Sequence, residues 1–318
     1  MRIAVGAITR RRPVMFETLL DSLARVTRPD GIELLFVFAE NDSEHQAAKA
    51  VEAFRASIPE PVLFALEPEP GIPFARNRVL SMAFEQEADF LTFVDDDETV
   101  AEDWLTTLVA AMEARRLDLA GGPVEPVADS SALTGWNRAV LEHLQDRAQR
   151  RNRTRRHATE AGTDDGLNIY TNNWCLRLSA QREHGIRFDE RLRDTGGSDT
   201  RFSREMSAAG ARLGWVPEAG VVDRIPLRRL SLRYHYSRAR DQAINTVRLN
   251  RKSTIRTLRE VLTQWLEALA LLLASPALGR RGVVKAVFKL GLANGQLRGV
   301  FGGASRHYAE ERAGHHAE

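Results

Sequence analysis

Leu91-Thr92-Phe93-Val94-Asp95-Asp96-Asp97-Glu98 is an apolar run that ends in four consecutive acids. Short unbroken apolar runs mark strands buried on both faces, as in parallel sheets covered by helices. Open α/β sheets of that kind bind ligands along the edge where the strands' carboxyl ends lie. The run therefore predicts a strand near Phe90–Val94 that delivers carboxylates to this edge. Their mutual repulsion needs an offset, which a divalent cation preferring hard oxygen supplies. Alternatively, one of the aspartates caps a helix beginning near Ala101. Capping employs one carboxylate and leaves the others without a role.

Working outward, strands are expected near Ile3–Ile8, Glu33–Phe38 and Val62–Leu66. Between them Phe16/Leu19/Leu20/Leu23, Ala47/Ala48/Val51/Phe54 and Phe74/Val79/Met82/Ala83 recur at helical spacing. This alternation predicts an α/β fold with a Rossmann-like, mostly parallel sheet flanked by helices. Polar residues just after a strand become site candidates, here Thr9-Arg10 and Glu40-Asn41-Asp42-Ser43 beside the acidic run. From Ala128 to Gly166 the pattern loosens, and Arg147–Arg156 holds six arginines in ten residues, as an exposed, mobile insertion would. Such a run suits a solvated loop, an anionic lipid-linked acceptor or nucleic acid, and its lack of interleaved aromatics argues against the last. Order resumes at Leu167–Leu178 and in a helix at Asp199–Ala209.

Composition narrows the classes. The 318 residues are 43% hydrophobic and 28% charged, enough for one large domain or two modest ones. The single cysteine, Cys175, excludes an internal disulfide and a cysteine-zinc site. A net charge of +2 conceals a division: residues 1–222 carry 27 basic and 36 acidic side chains, whereas residues 223–318 carry 18 and 7. The apolar run before Arg10-Arg11-Arg12 is too short for a signal peptide, so the chain is expected in the cytoplasm.

The basic tail reads as helices, with Arg238, Arg240, Arg248, Arg251 and Lys252 on the first and an apolar stretch at Trp265–Ala274. Only 12 uncharged residues separate Glu267 from Arg280, short of the ~20 that span a bilayer. The tail is thus expected to lie on a membrane rather than cross it. Val283–Leu297 mixes apolar residues with Lys285 and Lys289, suiting anionic headgroups. The alternative is a helical pair packed on the body or on another subunit, which leaves an oligomer open.

Two reaction classes use an acidic strand end. Asp95-x-Asp97-x-Thr99 resembles the DxDxT of haloacid dehalogenase-type phosphatases, which also need a downstream lysine. The chain has only Lys49, Lys252, Lys285 and Lys289, and the run would end a fourth strand rather than a first. The other class is nucleotide-sugar transfer. Ile8-Thr9-Arg10-Arg11-Arg12-Pro13, Glu40-Asn41-Asp42-Ser43, Gly71-Ile72-Pro73-Phe74-Ala75-Arg76-Asn77, Asp95-Asp96-Asp97 and Gly196-Gly197-Ser198-Asp199, in this order over about residues 1–220, resemble the inverting family 2 glycosyltransferases with the GT-A fold. The Gly71–Asn77 segment and the ending Gly291–Gly303 look closest to the bacterial exopolysaccharide, succinoglycan-type branch.

The resemblance implies a GT-A domain over residues 1–222, with a nucleotide-sugar half at about 1–122 and an acceptor half at about 123–222, followed by a helical extension at 223–318. It implies that Thr9, Arg10, Glu40, Asn41 and Asp42 line the pocket of a UDP-sugar, and that Arg76 approaches the diphosphate or the sugar. Asp95 and Asp97 match the family's DxD motif and would hold Mg²⁺ or Mn²⁺, with Asp96 facing the nucleotide sugar. Asp199 is assigned as general base. The implied activity moves a hexose from a UDP-sugar to a lipid-linked saccharide at the inner face of the plasma membrane. Tyr170-Thr171-Asn172-Asn173-Trp174 suits sugar stacking or a buried turn, and Arg224, Tyr234, His235 and Arg238 are candidates to close over the diphosphate. A metal-dependent phosphohydrolase and a non-catalytic GT-A-like scaffold remain the alternatives at this point.

Overall fold

The structure, a computed structural model, describes residues 1–164, 166–250 and 253–303. Arg251 and Lys252, expected on the first tail helix, lie outside the described residues. In chain order the elements are β1 (Arg2–Thr9), α1 (Pro13–Ala24), β2 (Glu33–Glu40), α2 (Ala48–Ser57), β3 (Val62–Leu66), α3 (Ile72–Glu85), β4 (Phe90–Asp95), β5 (Glu98–Val100), α4 (Trp104–Ala114), β6 (Leu119–Gly121), β7 (Val124–Val127) and α5 (Gly135–Glu160). There follow β8 (Asn173–Arg177), α6 (Leu178–His184), α7 (Ser198–Ala208), β9 (Leu213–Trp215), β10 (Val221–Arg224), α8 (Leu232–Asn250), α9 (Thr254–Leu273) and α10 (Ser275–Val300). They gather into two compact units. The first comprises Met1–Glu125, Ala148–Arg193 and Ser198–Arg224; the second comprises Pro126–Arg147, Asp194–Gly197 and Ile225–Glu318.

The first unit is built on a seven-stranded sheet of order β3-β2-β1-β4-β8-β6-β9. Strands β1 to β4 are parallel, β8 runs antiparallel to both β4 and β6, and β6 is parallel to β9. The four expected strands form: β1, β2 and β4 bury both faces, and the edge strand β3 is half-buried along its length. Ile3, Val5 and Ala7 of β1 face a core with Phe16, Leu19, Phe54 and Trp104, while Ala4 faces Val79, Leu80 and Phe93 on the other side. Register aligns their ends, pairing Thr9 with Glu40 and Ile8 with Asp95.

Three expectations need correction. The stretch expected as a mobile insertion contains the 26-residue helix α5. Arginine is a good helix former, and in the second half of α5 Arg155 takes the buried position while Arg150, Arg151, Arg153 and Arg156 are exposed, as expected of the run. Arg155, 8% exposed, lies 4.2 Å from the Trp215 ring centre and 5.3 Å from that of Tyr170. Burial lowers its pKa to about 10. Trp174 is fully buried, edge-on to Phe93 and Phe202 and tilted against Phe188, so its ring is unavailable to a sugar and the buried alternative holds for it.

The third correction concerns the tail. Val284, Ala286 and Phe288 of α10 are buried, and Gly291, Gly295 and Gly299 bring α10 against α8. A Cβ on Gly295 would lie 2.1 Å from the Arg240 carbonyl oxygen. The segment expected to meet lipid is therefore largely a packing seam. His235 is buried too, its ring 5.1 Å from that of His143 and 5.2 Å from that of Phe288, so it is unavailable to a diphosphate.

Candidate active site

Three strand ends build the site within the first unit. Thr9 closes β1, Glu40 closes β2 and Asp95 closes β4. The chain then turns through Asp96 and Asp97 into β5, and Glu98 accepts a hydrogen bond from the Asp95 amide at 2.8 Å. No helix begins here, since α4 starts at Trp104, so none of the three aspartates is a helix cap.

The acids are distinguished by their neighbours. Asp96, 6% exposed, accepts from Thr9 Oγ1 at 2.9 Å and from Arg12 Nη1 at 3.2 Å. Burial nevertheless pushes its pKa up to about 6. The same Arg12 nitrogen lies 3.5 Å from Asp97 Oδ2. Burial raises Asp95 to about 7, opposed by Arg76 and reinforced by the charges of Asp97, Asp96 and Asp199. Glu98 stands well above its ordinary range because it is buried beside Asp95. Packing carboxyls this closely, out of water, favours their protonated forms until a cation arrives.

Arg76 connects this turn to α7. It sits in the first turns of α3, which Gly71 and Pro73 start. Gly71 has φ +143°, and a Cβ there would lie 2.7 Å from Arg193 Cβ, so a larger residue would push that side chain away. Arg76 is 7% exposed, which excludes a solvated helix face. Its Nη2 lies 3.8 Å from Asp95 Oδ1, its Nη1 donates to Ser198 Oγ at 3.3 Å, and its buried Nε has no hydrogen-bond partner. Asp199 follows in the first turn of α7, where one carboxylate oxygen accepts from the Thr200 amide at 2.7 Å.

Residues after β2 differ in their partners. Asp42 accepts from Arg11 Nε at 2.7 Å, and that pairing holds its pKa below the usual range. Glu40, 1% exposed, accepts the Ala47 amide with both oxygens at 3.1 and 3.2 Å, which closes the loop after β2. Asn41 donates to the Glu67 and Glu69 carbonyls at 2.9 and 2.7 Å and accepts from the Gly71 amide at 2.8 Å. Glu40 and Asn41 thus shape the pocket wall with their polar atoms turned inward. Arg10 also acts on Asp42, lowering its pKa through its charge.

Arg11, Arg12 and Glu98 have contacts in the site that the sequence did not assign. The backbone of exposed Arg224 joins them by donating to the Asp97 carbonyl at 3.0 Å. Asn173 instead supports the sheet edge, accepting from Trp104 Nε1 at 2.9 Å and donating to the Pro123 and Ala219 carbonyls at 3.0 and 2.7 Å. Among the described residues, no group of three or more His, Cys, Asp or Glu side chains forms a ready-made metal cage. Asp95 and Asp97 offer two hard-oxygen ligands, which fits a cation completed by substrate phosphate oxygens.

The site is thus an acidic turn after β4 at the edge of a mostly parallel sheet, beside the antiparallel β8. Residues 6–168 match the model of glycosyl transferase family 2, and residues 90–282 match that of glycosyl transferase family group 2. The chain is 34% identical over 232 residues to the succinoglycan biosynthesis protein ExoM of Rhizobium meliloti (strain 1021), covering 73% of this chain and 70% of that one. It belongs to glycosyl transferase family 2 and is a glycosyltransferase related to exopolysaccharide biosynthesis. Solved structures share its GT-A-like fold. S. aureus TarS 1–349 has a TM-score of 0.53 at 15% identity, with 94% of this chain and 91% of that chain covered. The mannosyltransferase PcManGT from Pyrobaculum calidifontis, in complex with GDP-Man and Mn²⁺, has a TM-score of 0.56 at 16% identity, with 99% and 79% covered. TarS 1–349 has also been solved with UDP and with UDP-GlcNAc. Family membership sets aside both the phosphohydrolase and the non-catalytic scaffold readings.

Proposed function

We propose that this enzyme transfers a hexose from a UDP-sugar, with inversion, to a lipid-linked polysaccharide intermediate, working as a peripheral protein on the cytoplasmic face of the membrane. Residues 1–222 carry the reaction and 223–318 serve attachment. The observation that carries this reading is Arg76. It reaches both Asp95 and Ser198, so the acidic turn and the start of α7 border one space. The charge of Asp199 is felt at Asp95, as expected for two carboxylates of one pocket.

In this reading Thr9, Arg10 and Asp42 flank the nucleotide, and Arg76 meets the diphosphate as a fixed planar cation. Asp95 and Asp97 would hold Mg²⁺ or Mn²⁺, which supplies charge neutralisation for the departing diphosphate. Asp199 takes the proton of the acceptor hydroxyl as that oxygen bonds to the anomeric carbon. The bond from that carbon to the diphosphate oxygen breaks, and its electron pair leaves with UDP. A base of this kind contributes about 10²–10⁴-fold. Asp199→Asn should lower transfer by that factor while calorimetry still detects UDP binding; unchanged turnover would remove Asp199 from the role. Support for a nucleotide-sugar donor comes from the UDP, UDP-GlcNAc and GDP-Man complexes of the structural neighbours.

A further inference from the structure

The second unit exposes an apolar ridge. Along α9, Ile255, Leu258, Leu262, Trp265, Leu266, Leu269, Leu272 and Leu273 stand at helical spacing and are each at least 40% exposed. Thr257, Val261 and Ala268, on the other face of the same helix, are buried. The ridge runs for about 27 Å at 1.5 Å per residue. A continuous apolar stripe of this size on a soluble surface marks a contact site.

Beyond its end lies an open groove of about 470 Å³ lined by Gly135, Arg138, Ala139, Glu142, Leu278, Arg280 and Arg281. Arg281 Nε pairs with Glu142 at 2.8 Å. Among the described residues neither Arg138 nor Arg280 has a carboxylate partner, and Arg280 lies 5.6 Å from the centre of the exposed Trp136 ring. Arg259 flanks the ridge itself, Arg256 pairs with Glu260 at 3.4 Å on the same helix, and residues 223–318 carry 18 basic against 7 acidic side chains. No helix among the described residues is long and apolar enough to cross a membrane.

We propose that the α9 ridge lies in the interface of an anionic phospholipid membrane, with leucines among the acyl chains and Trp265 at the headgroup level, while the Arg138/Arg280/Arg281 groove holds lipid phosphate. Charge complementarity selects this occupant over a second protein, because an interface between two copies would bring like charges together. Apolar burial and basic contacts combine in such binding. The proposal deepens the peripheral-membrane reading above and locates its surface on α9 and the groove, not on α10.

The test uses the full chain with vesicles of phosphatidylcholine alone or mixed with phosphatidylglycerol. Sedimentation should show binding at least about tenfold stronger to the anionic vesicles and weakened by salt. Leu266→Glu with Leu273→Glu should abolish it, and Arg138→Glu with Arg280→Glu should reduce it to the level of the neutral vesicles. Trp104, Trp174 and Trp215 are 1%, 0% and 4% exposed, so quenching by brominated lipid reports on Trp136 and Trp265. Trp265→Phe should remove most of it. Equal binding by the leucine variant, or no binding to either vesicle, overturns the proposal. So does a wild-type dimer in sedimentation velocity that the leucine variant dissociates, since the ridge then joins two copies. Calorimetry with UDP on the same variants separates this failure from failure of the transferase reading, because none of these residues belongs to the candidate active site.

Discussion

Arg76 Nη2 lies 3.8 Å from Asp95 Oδ1, with the guanidinium buried and the carboxylate half-buried at the mouth of the site. The guanidinium is the counter-charge that keeps Asp95 from rising further, and its fork reaches Ser198 at the same time. One buried cation therefore partly offsets the burial of Asp95 and links the acidic turn to the first residue of the helix that carries Asp199.

Arg76→Lys keeps the charge and loses the fork. Because a misplacement of about 1 Å can cost on the order of 10²-fold in rate, we expect kcat/KM to fall by about that factor. The melting temperature should stay close to that of the parent enzyme. Steady-state kinetics and a thermal melt on one preparation check both halves.

Removal of divalent cations with EDTA should stop transfer, and Mg²⁺ or Mn²⁺ should restore it. Asp97→Asn should remove the cation-dependent part of UDP affinity in calorimetry. If affinity is the same with and without cation in the parent enzyme, the assignment of Asp95 and Asp97 as ligands is wrong.

Gly295→Ala places a Cβ against the Arg240 backbone carbonyl, at a distance of 2.1 Å that no rotamer change relieves. Overpacking of this kind costs about 1–3 kcal/mol. Chemical denaturation should show a lower midpoint, with UDP binding retained by the folded fraction.

His235 is pushed by burial to about 4 from an ordinary 6.5. The unfolded chain takes up the proton first, so this residue subtracts stability as pH falls through 6.5, with the full loss reached below about 4. At one pKa unit per 1.36 kcal/mol the loss approaches about 3 kcal/mol. His235→Phe should therefore gain relative to the parent enzyme between pH 7.5 and 4.5. A stability difference independent of pH over that range contradicts the assignment.

Much of the fold was legible because β1, β2 and β4 bury both faces, half-buried β3 is a short apolar run, and their helices keep an apolar spacing. Strands of three or four residues, such as β5, β6 and β9, carry no periodicity and gain their pairing only from the assembled sheet. Helix α5 escaped notice because Arg155 fills an inward position usually held by an aliphatic residue. In the site, strand-end positions were legible and partnerships were not. Arg12 meets Asp96 across 84 residues, and Asn41 spends its amide on carbonyls 26 and 28 residues away. The resemblance supplied roles for Asp95, Asp97 and Asp199 that spacing alone left open. The sequence left two readings of the tail open, lipid contact and helix packing: glycines in α10 mark helix contact and leucines in α9 are exposed, a difference that composition does not encode.

The reversed direction of β8 has a consequence for diversification. Because it runs against β4 and β6, its first residues, not its last, arrive beside the acidic turn. In the connection entering it, residues 166–172, Ile169 and Thr171 are fully buried, so change is confined to the half-buried Asn168, Tyr170 and Asn172, while Asn173 anchors the edge through Trp104, Pro123 and Ala219. Side chains at those positions can therefore vary while the strand registers and the acidic turn after β4 stay as they are.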